Sequence, residues 1–270
     1  GMDIHRGRAN ANKLLNRLLL DMTEAFDIRI AEIDAGGLRN AIPREAIAVL
    51  WVDADKAQAL DQWLQAPIEE LAAEFSTTDP GLEIALESAA TRSTAMDLDS
   101  QYQLLRAVAA CPNGIYRMSP DVDDLVQTSN NLARVEVRDG RFKVLSLTRG
   151  SVDSEKISHA REIRSVFELM GAEVTLSGEY PGWKPTPDAP IVKLVSRLYR
   201  ERFGVEAPIL ACHAGLECGI LGKAYPDIQM ISFGPNIRGA HSPDEKVQIS
   251  SVQKFWGFLQ EVLKEIPAKA

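Results

Sequence analysis

Arg134-Val135-Glu136-Val137-Arg138-Asp139-Gly140-Arg141-Phe142-Lys143-Val144-Leu145-Ser146-Leu147 is the stretch on which the fold turns. Arg134 to Val137 and Phe142 to Leu147 read as strands. Between them lies Asp139-Gly140, the dipeptide that a tight primed turn wants, because both central residues of that turn take positive φ. The stretch is therefore a β-hairpin. Downstream, Ile157, Ile163, Val166, Phe167 and Met170 recur at helical spacing over 153–170, and Gly171 stops that helix. Glu173 to Leu176 follows as a strand. Upstream, Asp97 can cap a helix that carries Leu98, Tyr102, Leu105 and Val108.

A similar order occurs earlier in the chain. Residues 8–23 read as a helix, with Leu14, Leu15, Leu18, Leu19 and Met22 on one side. Asp27 to Ile33 alternates as a half-buried strand, Gly36-Gly37 breaks it, and Ala46 to Val52 is the next strand. Residues 55–75 are helical again, with a kink or break expected at Pro67. Leu82 to Leu86 is a short strand. An αββαβ pattern thus appears at 8–90 and again at 97–178, which predicts two related halves, each a sheet covered by helices on one face.

From Gly178 the texture changes. Tyr180-Pro181-Gly182-Trp183-Lys184-Pro185 is a stiff, turn-rich linker. A helix through Ile191, Leu194, Val195, Leu198 and Tyr199 stops at Gly204. Pro208 to Cys212 and Asp227 to Phe233 read as buried strands. Each leads into a polar loop, His213 to Gly219 and Gly239 to Glu245, and an amphipathic helix (Val252, Phe255, Trp256, Leu259, Val262, Leu263, Ile266) closes the chain. This is the arrangement of an open α/β sheet, whose ligands sit at the carboxyl ends of the strands, where both loops fall.

Composition narrows the function. The 270 residues suffice for one to two domains, at 45% hydrophobic and 25% charged residues. A formal net charge of −8 gives no general attraction for phosphate backbones, so nucleic acid is not an expected partner. No apolar run approaches the roughly 20 residues of a membrane span. The opening residues lack the apolar region of a signal peptide. Three cysteines, Cys111, Cys212 and Cys218, argue against a disulfide scaffold and for a reducing, cytoplasmic setting.

Few residues could carry chemistry. Of the four histidines, His159 reads as part of a solvated helical face and His5 as a terminal residue. His213 opens a glycine-containing loop, and functional and structural readings of it stand level. His241, in a loop after a strand, is placed to be a metal ligand or a base. Glu217 lies between Gly215 and Gly219, either as an exposed loop carboxylate or as part of a loop whose backbone N–H groups approach a ligand. Cys212 and Cys218 do not have zinc spacing, and Cys218 has no evident pairing base. Asn40 and Arg149 stand at strand ends, as a turn residue and a surface cation or as site residues. H-x-D, H-E-x-x-H and a glycine-flanked Glu-Glu pair are absent, so His241 alone does not make a hydrolytic metal centre.

The loops nonetheless resemble a known family. His213-Ala-Gly-Leu-Glu-Cys-Gly219, Tyr180-Pro-Gly-Trp183, Gly239-Ala-His-Ser-Pro-Asp-Glu245 and the closing Leu-Lys-Glu-Ile-Pro are similar to the C-terminal part of the Xaa-His dipeptidases. These are carnosinase-type members of the di-zinc aminoacylase/carboxypeptidase G family. Gly36-Gly-Leu-Arg-Asn-Ala-Ile-Pro43 resembles the wider family's lid signature, and the stretch from Gly1 through Asn10-Ala11-Asn12 to Lys13 fits the segment after the family's lid His-Ser-Gly motif.

The resemblance implies α/β and α+β architecture. Residues 1–178 would be a lid of two ferredoxin-like halves, and 179–270 the C-terminal part of a catalytic domain whose front, with most metal ligands, is not matched. It implies His241 as a zinc ligand and Asn40 as a group that stabilises the tetrahedral intermediate. Asp53 stands where single-lid relatives carry an arginine, which leaves Arg149 as the candidate for that role. The resemblance also implies Gly215 and Leu216 as backbone donors to a substrate carboxylate, with His213 and Glu217 shaping the pocket. The implied activity is hydrolysis of Xaa-His dipeptides by a two-zinc enzyme, with a dipeptide as partner and a homodimer as assembly. A non-catalytic lid module and an aminoacylase-type amidohydrolase are the competing readings.

Overall fold

A computed structural model describes residues 4–210, 217–239 and 244–266. These fall into two compact units that meet in sequence between Gly182 and Trp183.

In the first unit, α1 (Ala11–Phe26) begins where Asn10 accepts hydrogen bonds from the Asn12 and Lys13 amides, and ends at Asp27 in the left-handed conformation. β1 (Arg29–Gly36) and β2 (Ala46–Trp51) form a hairpin. A bulge between Ile30 and Glu32 lets Ile30 and Ile33 share the buried face despite their odd spacing. α2 (Ala57–Glu74) runs through Pro67 without ending there, so the break expected from sequence does not occur. α3 (Leu98–Ala110) is capped by Asp97, whose carboxylate accepts from the Ser100 amide at 2.9 Å. Then come β3 (Gly114–Met118), β4 (Val126–Arg138), β5 (Arg141–Gly150) and α4 (Asp153–Glu168).

β4 is the hub of a five-stranded antiparallel sheet. One flank of it pairs with β3 along its first half and with β1 along its second; the other flank pairs with β5. The hairpin read from sequence is present, with Arg138 opposite Arg141 and positive φ at both Asp139 (53°) and Gly140 (70°). Leu132, Val135 and Val137 of β4 join Ile30, Ile33 and Ala35 of β1 in a core with Leu18, Leu19, Leu60, Leu104, Leu105, Ile163 and Phe167 of the helices. A bulge between Leu132 and Arg134 keeps Leu132 and Val135 on that same face.

The mixed α+β class expected from sequence is the one found. The two αββαβ segments, however, do not form separate sheets. Both feed one sheet, and the second segment brings an additional strand, β3, before its hairpin. Neither Leu82–Leu86 nor Glu173–Leu176 is a strand. A strand needs a neighbour to take its N–H and C=O groups. These segments instead place Leu82, Ile84 and Val174 against the core, and nearby the Met96 amide donates to the Ile30 carbonyl at 2.7 Å.

The second unit contains α5 (Pro190–Phe203), α6 (Glu217–Ala224), the short pair β6 (Ile237–Arg238) and β7 (Lys246–Val247), and α7 (Ile249–Glu265). Its core is small: Val195 and Leu198 of α5 against Phe258 and Val262 of α7, with Tyr199, Phe203 and Phe233 packed around them. The open sheet expected here is not formed among the described residues. Residues 208–210 and 228–233 form no strand and Asp227 lies in a turn; a strand needs a partner to take its backbone groups, and the described residues supply none here. No helix among the described residues is long and apolar enough to cross a membrane.

Candidate functional site

The first unit brings together two residues that lie far apart in the chain. Asn40 is in the loop between β1 and β2, and Arg149 is at the end of β5. Both line a shallow, open pocket, together with Ile4, Arg39, Ile42, Ser129, Asn131 and Leu147. The sheet register explains the wall. Ser129 lies opposite Arg149 and Asn131 opposite Leu147. Side chains on a strand alternate between faces, so these four project from one face of the β4–β5 pair.

The loop that carries Asn40 is fixed at its base. Gly36 has φ +76°, and a Cβ there would overlap the Ala133 carbonyl and come within 2.9 Å of Asn12 Nδ2. Glycine is required at this point. The Gly37 amide donates to the Ala133 carbonyl at 3.1 Å, and Arg134 donates to the Gly36 carbonyl at 2.7 Å. Within the loop, the Ala41 amide closes a turn on the Leu38 carbonyl at 3.1 Å.

The pocket wall holds unmatched polar atoms. Arg149 Nε and Asn131 Oδ1 are buried without a hydrogen-bond partner. Buried polar atoms in folded proteins are nearly always paired, so unmatched ones in a pocket wall point to a ligand. A guanidinium N–H beside an exposed asparagine amide offers donors to a carbonyl, oxyanion or carboxylate oxygen. Asn131 and Ser129 escaped the sequence reading. The polar run Gln127-Thr128-Ser129-Asn130-Asn131 shows no apolar alternation, and only pairing on both flanks makes it a buried strand.

The other candidates divide. His213, Gly215, Leu216 and His241 lie outside the described residues, as does Cys212. Glu217 is exposed on the first residue of α6. Burial and the adjacent Glu217 carboxylate push the Cys218 thiol up, which disfavours the thiolate a nucleophile needs. Asp53 is an exposed partner of Lys56 at 3.1 Å, just before α2. His159 is not on a solvated face: it is 2% exposed, stacked on Tyr116 with ring centroids 4.1 Å apart, and its Nδ1 lies 2.9 Å from Glu162 Oε2. Lys156 and Glu155 lie alongside it on α4, and the polar sequence there faces β3 and β4 rather than water. Among the described residues no group of three or more His, Cys, Asp or Glu side chains could hold a metal ion.

Known proteins are similar to this chain in sequence and fold. Residues 1–79 match the M20-type peptidase dimerisation domain. Over 269 residues the chain is 40% identical to a cytosol non-specific dipeptidase of Escherichia coli (strain K12), aligning all of this chain with 56% of that protein. It superposes on the crystal structure of an aminoacylhistidine dipeptidase from Vibrio alginolyticus with a TM-score of 0.89 at 39% identity, over 100% of this chain and 55% of that one. The chain spans about half the length of both. The similarity to these two dipeptidases runs along the whole of this chain, and the match to the M20-type dimerisation domain is confined to its first 79 residues.

Proposed function

We propose that this chain is the lid and C-terminal catalytic portion of a zinc-dependent dipeptidase that hydrolyses Xaa-His dipeptides such as β-alanyl-histidine. The observation that carries this reading is the convergence of Asn40 and Arg149 on one pocket with a buried, unmatched guanidinium N–H. In it, residues 1–178 are the lid and 179–270 the catalytic segment. Asn40 and Arg149 donate to the carbonyl oxygen or carboxylate of the bound dipeptide. Donors of this kind, fixed before reaction, are worth about 3–4 kcal/mol each to a developing oxyanion. His213, Gly215, Leu216 and Glu217 would shape the site for the leaving residue, and His241 would be a metal ligand.

The described residues do not fit a metal centre by themselves. Zinc, which would polarise the scissile bond and activate water in the complete enzyme, needs ligands beyond them. What this chain's own described residues do is bind and orient. The test is calorimetric titration of β-alanyl-histidine into the purified chain and its Asn40→Ala and Arg149→Ala variants. Saturable binding that weakens about tenfold or more in each variant supports the reading. Equal binding by all three proteins overturns it.

A further inference from the structure

Asn131 does more than line the pocket. Its side-chain nitrogen donates to the Arg39 carbonyl at 3.0 Å and to the Ala41 carbonyl at 2.7 Å, the backbone groups on either side of Asn40. Both acceptors are carbonyls, so the amide has one orientation only; turned over, its oxygen would face two oxygens. The residue is 8% exposed, and the orientation leaves its Oδ1 buried and unmatched. A side chain that served only to fill the sheet would avoid that cost. The base of the loop is already tied to β4 through Ala133 and Arg134, but those bonds reach only Gly36 and Gly37. The ties at Arg39 and Ala41 come from Asn131.

We propose that Asn131 is a positioning residue for the pocket. It holds the backbone on both sides of Asn40 and thereby sets where the Asn40 amide stands relative to Arg149. This rests on the pocket being a dipeptide site, but the hold on the loop can be measured separately. Asn130 supplies the control. It is fully buried on the same strand, it donates to the Pro112 carbonyl at 2.7 Å and accepts from Thr148 at 3.0 Å, and as the next residue along the strand it projects from the face opposite to that of Asn131.

The experiment compares the whole chain with Asn131→Asp, Asn131→Ser and Asn130→Asp, reading amide hydrogen exchange over residues 38–42 and affinity for β-alanyl-histidine by calorimetry. Asn131→Asp is isosteric and loses both N–H donors; Asn131→Ser keeps one donor. We expect Asn131→Asp to speed exchange in the loop and to weaken dipeptide binding, each about tenfold. Asn131→Ser should fall between it and the wild type. Asn130→Asp, although less stable, should leave both readouts at wild-type values. Unchanged exchange in Asn131→Asp, or the same changes in Asn130→Asp, overturns the proposal. A wild-type chain that binds no dipeptide would sink the dipeptide reading of the pocket, while the exchange data would still decide whether Asn131 holds the loop.

Discussion

Glu155 shows how much one buried carboxylate can organise. Burial by itself would raise its pKa, but hydrogen bonds from Thr128 (2.5 Å), Gln127 (2.7 Å) and Arg117 (3.2 Å) outweigh burial and hold the carboxyl below its ordinary range. A depressed carboxylate adds stability that is fully present above its unfolded pKa, about 4.3, and is lost as pH falls through the lower folded value. Glu155→Gln should therefore lower the melting temperature at pH 7 and narrow the gap from wild type as pH drops below 4. Thermal unfolding across pH 3–7 checks this; a gap independent of pH would show that the charge contributes nothing. At the same scale, the polar sequence neighbours of His159 conceal its burial, which depends on Tyr116 of β3, a strand that lies about 40 residues away.

At the scale of elements, two local devices connect sequence to the pocket. The first is Gly36, whose positive φ and close approach to Ala133 let β1 turn toward β2. Gly36→Ala should cost at least about 1–3 kcal/mol in chemical denaturation and should disturb the loop that carries Asn40; a cost below about 0.5 kcal/mol would mean that the turn relaxes freely. The second is Lys13 on α1, which donates to the carbonyls of Val108 (2.7 Å), Ala109 (2.9 Å) and Cys111 (2.6 Å) at the end of α3. Burial lowers its pKa, while the carbonyls at a helix C-terminus favour its charge. Lys13→Met removes three charge-assisted bonds and should destabilise the unit by about 1.5–3 kcal/mol. Denaturant titration with an unchanged midpoint would contradict that.

For the whole molecule, the question is which assembly completes it. The matched dimerisation domain covers α1, β1, β2 and α2. Within the sheet β2 pairs on one side only, and Ile47 and Trp51 on it are 66% and 41% exposed. An outer strand with apolar side chains is a template for a second copy. We therefore expect a homodimer through this edge, and Ile47→Lys combined with Trp51→Glu should give a monomer by sedimentation velocity. A dimer that survives both changes would place the interface elsewhere. The chain alone, even with added zinc, should not turn over β-alanyl-histidine at an enzymic rate, since binding without a metal-activated water lowers no barrier to hydrolysis. An assay beside the longer Escherichia coli relative, with comparable rates for both, would refute the assignment of roles.

Local chemistry determined much of this protein directly. The Asp139-Gly140 turn, the Asp97 cap, the periodicity of α1 through α5 and α7, and the resemblance of the loops to dipeptidases are all legible in neighbouring residues. Turn geometry, capping and amphipathic spacing are short-range effects. Tertiary structure alone decided the rest. Thr128 to Asn130 became a buried strand because β3 and β5 pair with it from both flanks. The strands expected at Leu82–Leu86 and Glu173–Leu176 failed for want of such partners, since a ladder belongs to two segments and not to one. Asn40 and Arg149 were each visible as a residue at a strand end. That they share a pocket, with Asn131 between them holding the loop, follows from the register of β4 against β5 and from the return of the β1–β2 loop onto β4. Register is a property of paired strands, so the sequence could name these residues but not bring them together.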